Sequence, residues 1–373
     1  MSKEKVNVTP WEVSGEVNYT KLVKEFGTSL ITEKIYSDLG NNIPPLIKRH
    51  IYFSHRDLDI WIDAWKKKKK ISIVTGRGPS EKMHLGHLVP FLAAKTLQDK
   101  FGCKVYIPIS DDEKFFVKEN LTYKDVIRYA NENILDIIAL GFDPEKTFIV
   151  QDFKYTPMYI FAARVAKRIS YSTAKAIFGL EPSQNIGWTF YPAMQAAHIL
   201  LPQFLEGPHN TLVPVGIDQD PFIRLTRDIA VHKDFRFVKP SAIHAKFIPS
   251  LHGSAKMSSS ENGVIFLTDN PKEVESKIKK YAFSGGRDTL EEHRKLGGNP
   301  DIDVSFQYLN IFFEPDDKEL DLIYQEYKSG KMLTSELKNI VIKKINLFLI
   351  EHQRKREEAK KMIDKFIYKV DKV

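Results

Sequence analysis

The pattern of apolar and polar positions changes twice along this chain. Residues 1–70 mix short polar stretches with Pro10, Pro44 and Pro45 and show no long period, which predicts an extension packed on the domain after it. Ile71-Ser72-Ile73-Val74 is then a β-branched run of the kind that forms a buried strand. It enters a turn-rich loop at 75–80, and a helical stretch follows over about 86–100. Further strands are predicted over 105–109, 147–150 and 211–215. An amphipathic helix is predicted over 123–140, stopped by Gly141 and Pro144, with more helices up to about residue 204 and another over 221–230. Strands alternating with helices imply parallel pairing, hence an α/β fold with a doubly wound sheet. After about Leu267 the alternation stops and helical patterns dominate, with Leu337, Val341, Ile345 and Phe348 on one face of a basic helix. The predicted organisation is an N-terminal extension (1–70), an α/β domain (71–265) and an all-helical C-terminal domain (266–373).

Composition narrows this picture. With 373 residues, 42% hydrophobic and 28% charged, the chain has the balance of a soluble globular protein with two or perhaps three domains. No run of eighteen apolar residues predicts a membrane span, and the N-terminal residues lack a secretory pattern, so a cytoplasmic location is expected. The one cysteine, Cys103, excludes an intramolecular disulfide framework and a multi-cysteine zinc site. Lys and Arg exceed Asp and Glu by 56 to 48. Residues 66–70 are five lysines in a row, and 343–373 hold ten basic against five acidic residues. Either run alone reads as a solvated face; beside a nucleic-acid motif it reads as a polyanion surface.

Three segments carry candidate chemistry. Gly76-Arg77-Gly78-Pro79-Ser80-Glu81-Lys82-Met83-His84-Leu85-Gly86-His87 joins the first strand of the α/β domain to its helix, where open α/β sheets bind ligands. Glycines allow close backbone approach, and a helix N-terminus offers free N–H groups to phosphate, with His84 and His87 beside them. The plainer readings are a Gly-rich turn with two surface histidines, or a zinc pair that lacks an obvious third ligand. Lys256-Met257-Ser258-Ser259-Ser260 can close over a triphosphate and neutralise departing pyrophosphate, or be an ordinary polar loop. Gly216-Ile217-Asp218-Gln219-Asp220-Pro221 offers acceptors and donors to a zwitterion or a ribose, although an Asp capping a helix before Pro221 is also expected.

Together, HxGH after a strand and KMSSS late in the sheet resemble the two signatures of class I aminoacyl-tRNA synthetases. Asp111-Asp112-Glu113-Lys114, Pro192-Ala193-Met194-Gln195-Ala196-Ala197, Phe53-Ser54-His55-Arg56-Asp57 and Ala282-Phe283-Ser284-Gly285-Gly286-Arg287-Asp288 are similar to the tryptophan branch of archaeal and eukaryotic type, over about residues 10–365. The resemblance implies a Rossmann-type doubly wound parallel sheet with a helical anticodon-binding domain, and a homodimer. It implies tryptophan, ATP with Mg²⁺, and tRNA(Trp) as partners, with no membrane and no resident metal. By the same resemblance Arg77, Gly78, Gly86, Gly216, Lys256, Met257 and Ser258 bind ATP, and His84, His87 and Lys256 act in catalysis. Glu113, Gln195, His198, Asp218, Gln219 and Asp220 receive the amino acid or ribose, Arg287 and Asp288 lie near the anticodon, and Pro10-Trp11 belongs to a hairpin over the site.

The chain departs from that pattern at three places. Ser259 stands where many synthetases have a second lysine, and Val74 and Pro108 stand where the branch often has the Tyr and Gln that read the indole N–H. Bacterial relatives of the family have an aspartate matching His198, so neutral His198 is expected to accept that N–H; the competing expectation is a core histidine bonded to backbone. Tyrosine activation, nucleotidylyl transfer and tRNA binding without catalysis are the competing functions.

Overall fold

In the computed structural model, residues 7–8, 13–14, 18–253, 257 and 263–369 are described. Strands β1 (Asn7–Val8) and β2 (Val13–Ser14) form a small antiparallel ribbon. Seven strands build the main sheet: β3 (Ser29–Leu30), β4 (Tyr52–Arg56), β5 (Ile71–Val74), β6 (Lys104–Ile109), β7 (Thr147–Gln151), β8 (Asn210–Gly216) and β9 (Ser241–Ala245). Their order is β3-β4-β9-β8-β5-β6-β7. β9, β8, β5, β6 and β7 run parallel, with Ile73 opposite both Val105 and Leu212. All four residues of β5 are buried, as a β-branched strand covered on both faces requires.

The parallel sheet is extended at one edge. The sheet is mixed, because β4 pairs antiparallel with β9 and β3 antiparallel with β4. The first 70 residues therefore supply two strands of the sheet as well as packing on it. Their elements are two to nine residues long, too short to show a period, and four of the five β4 residues are buried, which erases alternation. β9 (Ser-Ala-Ile-His-Ala) carries little strand signal because Ile243 is its one β-branched residue.

The order places β5 beside β6 on one side and β8 on the other. The chain leaves β5 toward one half of the sheet and returns in the other half, so a crevice opens at the C-terminal ends of β5 and β8. Helix Leu88–Phe101 starts at that crevice, directly after a 3₁₀ turn, Leu85–His87. Helix Ile186–Glu206 lines another wall.

Beyond the sheet the chain is helical. The 26-residue helix Thr334–Ala359 buries Leu337, Val341, Ile345 and Leu349, one stripe at four-residue spacing. Phe348, predicted on that face, is partly buried against the same core. This stripe joins a single apolar core that also contains Ile73, Leu97 and Ile134, so the helical part packs directly against one face of the sheet. Two polar ties cross the contact, the first of them buried. His352 Nε2 meets Asp136 Oδ1 at 3.1 Å, and Arg49 reaches Asp317 and the backbone carbonyls of Asn310 and Glu314. The lysine run is held locally: Lys66 pairs with Asp38, Lys67 with Asp63 and Lys70 with Glu206. Among the described residues no helix is long and apolar enough to cross a membrane.

Candidate functional site

The crevice is a cleft of about 490 Å³ lined by Thr75, Arg77, Gly78, His84, Gly86, His87, Glu113, Gln195, His198, Gly216, Asp218, Gln219 and Met257, among others. That volume suits a small ligand largely enclosed. At one end lies the histidine turn. His84 Nδ1 accepts the Gly86 N–H at 3.2 Å, and His87 Nδ1 accepts the His84 N–H at 3.1 Å. An imidazole that accepts at Nδ1 carries its proton on Nε2, so both rings keep an N–H for a ligand. The rings stack with centroids 3.5 Å apart. Burial, and then the positive charge of Arg77, pulls His84 down to about 3 and His87 well below the usual histidine range. Both are neutral donors at any physiological pH. The KM for ATP is accordingly expected to pass through pH 6.5 without an inflection; an inflection there that His87→Asn removes would mean that a charged imidazole binds the nucleotide.

Arg77 runs beside this turn. Its Nε donates to Asn133 Oδ1 at 3.1 Å, while Nη2 is buried without a partner among the described residues. Burial draws the guanidinium down to about 10, against the pull of Glu113 and Glu81. A buried donor left unpaired is costly, so Arg77 is poised for an acceptor supplied by a ligand. Gly86 leaves room between the His84 ring and Met257, where an added Cβ would meet both at 3.1–3.2 Å. Met257 is tied to Ile248 by a backbone hydrogen bond of 2.8 Å. Lys256 and Ser258, like Pro10 and Trp11, lie outside the described residues.

Another part of the cleft wall is acidic. Glu113, at the start of helix Asp111–Val117, is buried beside Lys114, whose Nζ is 2.6 Å from Oε1, and accepts from Ser110 Oγ at 3.3 Å. A side chain at Gly78 would run into Glu113 Oε2, which is why glycine stands there. Tyr191 donates to Gln195 Oε1 at 2.8 Å, which orients the amide. Gln219 Nε2 donates to Asp218 Oδ2 at 3.0 Å. This part offers a carboxylate and two amides to an ammonium group. His198 lies farther in, bonded to Asp152 and not to backbone.

One residue assigned to the ligand goes elsewhere. Asp220 is fully buried and does not line the cleft. Its Oδ1 takes Arg56 Nε at 2.6 Å and lies 3.2 Å from His244 Nε2, so the carboxylate ties β4 to β9. It heads helix Asp220–Ala230, in keeping with a helix-start role. Arg287 and Asp288 are exposed on the helical part, far along the chain from any cleft residue. Two groups that sequence reasoning missed belong to the site's surroundings. Lys246, directly after β9, lines the cleft with its ammonium 5.7 Å from the Tyr19 ring, and no carboxylate pairs with it among the described residues. Asp152 meets His198 from the end of β7. Neither stands in a motif, so only the fold could reveal them.

A neutral-histidine turn at a helix start and a buried carboxylate, lining one cleft at the switch point of a doubly wound sheet, fit the class I tRNA synthetases. The family described as class I tRNA synthetases (W and Y) matches residues 66–350. The tryptophan–tRNA ligase of Sulfurisphaera tokodaii is 51% identical over 97% of this chain and 95% of that protein, and that of Saccharolobus solfataricus 49% over 98% and 96%. The solved Plasmodium falciparum tryptophanyl-tRNA synthetase is 41% identical with a TM-score of 0.86, covering 94% of this chain and 97% of that one. A tryptophan-bound Encephalitozoon cuniculi tryptophanyl-tRNA synthetase is 34% identical with a TM-score of 0.85, covering 95% and 98%. The chain belongs to the W and Y family of class I tRNA synthetases, in its tryptophan–tRNA ligase branch.

Proposed function

We propose that the cleft activates tryptophan with ATP and passes it to the 3′ adenosine of tRNA(Trp). The observation that carries this is one cleft holding Glu113 and Gln195 together with the neutral N–H donors of His84 and His87. A tryptophan carboxylate oxygen attacks the α-phosphorus, the bond to the β-phosphate oxygen breaks, and pyrophosphate leaves. No protein nucleophile is needed, so catalysis is alignment and charge stabilisation.

Glu113, Gln195 and Gln219 hold the ammonium, with Asp218 at the ribose. His84, Gly86, His87, Arg77, Gly78, Gly216 and the 256–258 loop hold ATP. Mg²⁺ enters as the counter-ion of the triphosphate, because the nucleotide end offers N–H donors and not carboxylates. The helical part binds the anticodon stem, with Arg287 and Asp288 near the bases. A cytoplasmic homodimer completes the reading, supported by Ile160, Tyr171 and Ile186, large apolar side chains more than half exposed on helices 157–206.

ATP–pyrophosphate exchange with each of the twenty amino acids tests this reading. Exchange stimulated by tryptophan alone is expected; tyrosine-driven exchange, or none, would replace it with the tyrosine or the non-catalytic alternative. For the tRNA surface, Lys344 and Arg354 are poor probes. Lys344 neutralises buried Glu314 at 2.6 Å and Arg354 is paired to Glu351 and Glu358. The exposed Lys343 is cleaner, and Lys355, also exposed, stands 3.6 Å from Glu351 in a looser pair. Lys343→Glu with Lys355→Glu is expected to raise the KM for tRNA severalfold and to flatten its salt dependence by about one log unit for each phosphate no longer neutralised. Unchanged kinetics at subsaturating tRNA would mean this face is merely solvated.

A further inference from the structure

Behind the amino-acid end of the cleft lies a cluster of carboxyls that the activation chemistry does not use. Asp111, Asp112 and Asp152 offer oxygens within 4.8 Å of one another, all buried. Asp111 is satisfied by Gln151 Nε2 at 2.8 Å and by the Phe153 N–H at 3.1 Å. Asp112 Oδ1 accepts the Glu113 N–H at 2.7 Å, but its buried Oδ2 receives no donor. Asp152 is met by His198, whose Nε2 stands 2.8 Å from Oδ2 and 3.0 Å from Oδ1.

Two facing buried carboxyls cannot both ionise. Burial pushes Asp152 well above the ordinary carboxylate range, and burial and then the charge of Asp152 push Asp112 up to about 8, so the pair retains a proton at neutral pH. His198 Nε2 stands within 3.0 Å of both Asp152 oxygens, the geometry of one N–H shared by two acceptors, so the hydrogen between the two side chains belongs to Nε2. Burial keeps that imidazole neutral. Its proton is thus committed, and Nδ1 keeps its lone pair. Asp152 does not line the cleft whereas His198 does, so the ring spans from the carboxylate to the cleft wall. The neighbouring wall positions Val74 and Pro108 offer side chains without any hydrogen-bonding group.

We infer that Asp152 is a positioning residue for amino-acid specificity: it fixes His198 as an Nδ1 acceptor, and that acceptor selects a side chain carrying a ring N–H. The inference rests on the tryptophan reading of the cleft. It separates the reading group, His198, from the group that sets its tautomer. Without Asp152 the proton can sit on either nitrogen, and the Nδ1–H form repels an N–H donor. A site built to bond an N–H rejects an analogue that lacks it, because the buried acceptor is left unpaired.

The test uses the full-length enzyme and two substrates, tryptophan and the analogue with sulfur in place of the indole nitrogen. The wild type should favour tryptophan over the analogue by about 10- to 100-fold in kcat/KM. Asp152→Leu and His198→Leu should each raise the KM for tryptophan by a similar factor, leave the KM for ATP in place and abolish the preference. Asp152→Asn, whose amide oxygen can still accept from Nε2, should retain most of it. ¹⁵N NMR of the imidazole reads the tautomer without any substrate, with the His198 signals assigned by their loss in His198→Leu. A bare Nδ1 and protonated Nε2 are expected in the wild type, and a mixed signal in Asp152→Leu. A protonated Nδ1 in the wild type, or loss of preference in Asp152→Asn equal to that in Asp152→Leu, would overturn the role of Asp152. The expected tautomer together with equal analogue rejection by wild type and His198→Leu would leave the tautomer lock standing and overturn the indole reading. If Asp152→Leu fails to fold, the wild-type spectrum and Asp152→Asn decide alone.

Discussion

Lys256→Ala is expected to slow tryptophanyl-adenylate formation about a hundredfold or more, roughly 3 kcal/mol, while the affinity for tryptophan stays near its original value. The neighbours of the lysine set where it acts. Met257 is buried, bonded through its N–H to Ile248, and its sulfur borders Gly86. Downstream, Leu85 donates its N–H to Ile265 at 3.2 Å and Leu267 to Met83 at 2.9 Å, stitching 265–267 to the histidine turn. Met257 and residues 265–267 are therefore fixed beside the histidine turn. A cation there meets charge that grows only as pyrophosphate leaves, so its loss falls on the rate and not on ground-state binding. Ser259 leaves KMSSS with a single lysine, which concentrates the effect. Pre-steady-state adenylate formation measures it, and a wild-type rate would refute the role.

Asp220→Ala is expected to destabilise the fold by about 3–5 kcal/mol, because it leaves a largely buried guanidinium without its counter-charge. Arg56 makes a two-pronged contact, Nε to Oδ1 at 2.6 Å and Nη2 to Oδ2 at 2.7 Å, with its side chain only 14% exposed. Burial alone would raise the Asp220 carboxyl, but the hydrogen bonds from Arg56 and His244 outweigh it and hold the group below the ordinary carboxylate range. A depressed folded-state pKa means the unfolded chain binds the proton more readily. The contribution is thus complete above the unfolded value of about 3.9 and is lost as pH falls from there through the folded value. Urea titration at pH 7 should show a lower midpoint in Asp220→Ala, and the gap from wild type should narrow below about pH 4. An unchanged midpoint at pH 7 would return Asp220 to the candidate substrate ligands.

The parallel core of the sheet was legible because β-branched runs mark buried strands. The prediction over 71–74 coincides with β5, and those for β6, β7 and β8 fall within one residue of the observed ends. The glycine-flanked histidine turn was equally readable, since its spacing is local. What escaped depends on contacts distant in sequence. Asp218 and Asp220 stand two residues apart in one motif, yet only Asp218 lines the cleft, because Arg56, 164 residues upstream, claims the other carboxylate. His198 was singled out as a neutral acceptor, but Asp152, which meets it, lies 46 residues away on another element. Lys246 follows a strand with one β-branched residue, so nothing in the local pattern put its ammonium at the cleft.

Charging of transcripts with radiolabelled tryptophan tests the central claim most directly. The full chain, with ATP and Mg²⁺, should esterify tryptophan to the 3′ adenosine of tRNA(Trp) and leave a tRNA(Tyr) transcript uncharged, with no tyrosine accepted by either. Tyrosine on tRNA(Tyr), or tRNA(Trp) bound without becoming charged, would contradict the account.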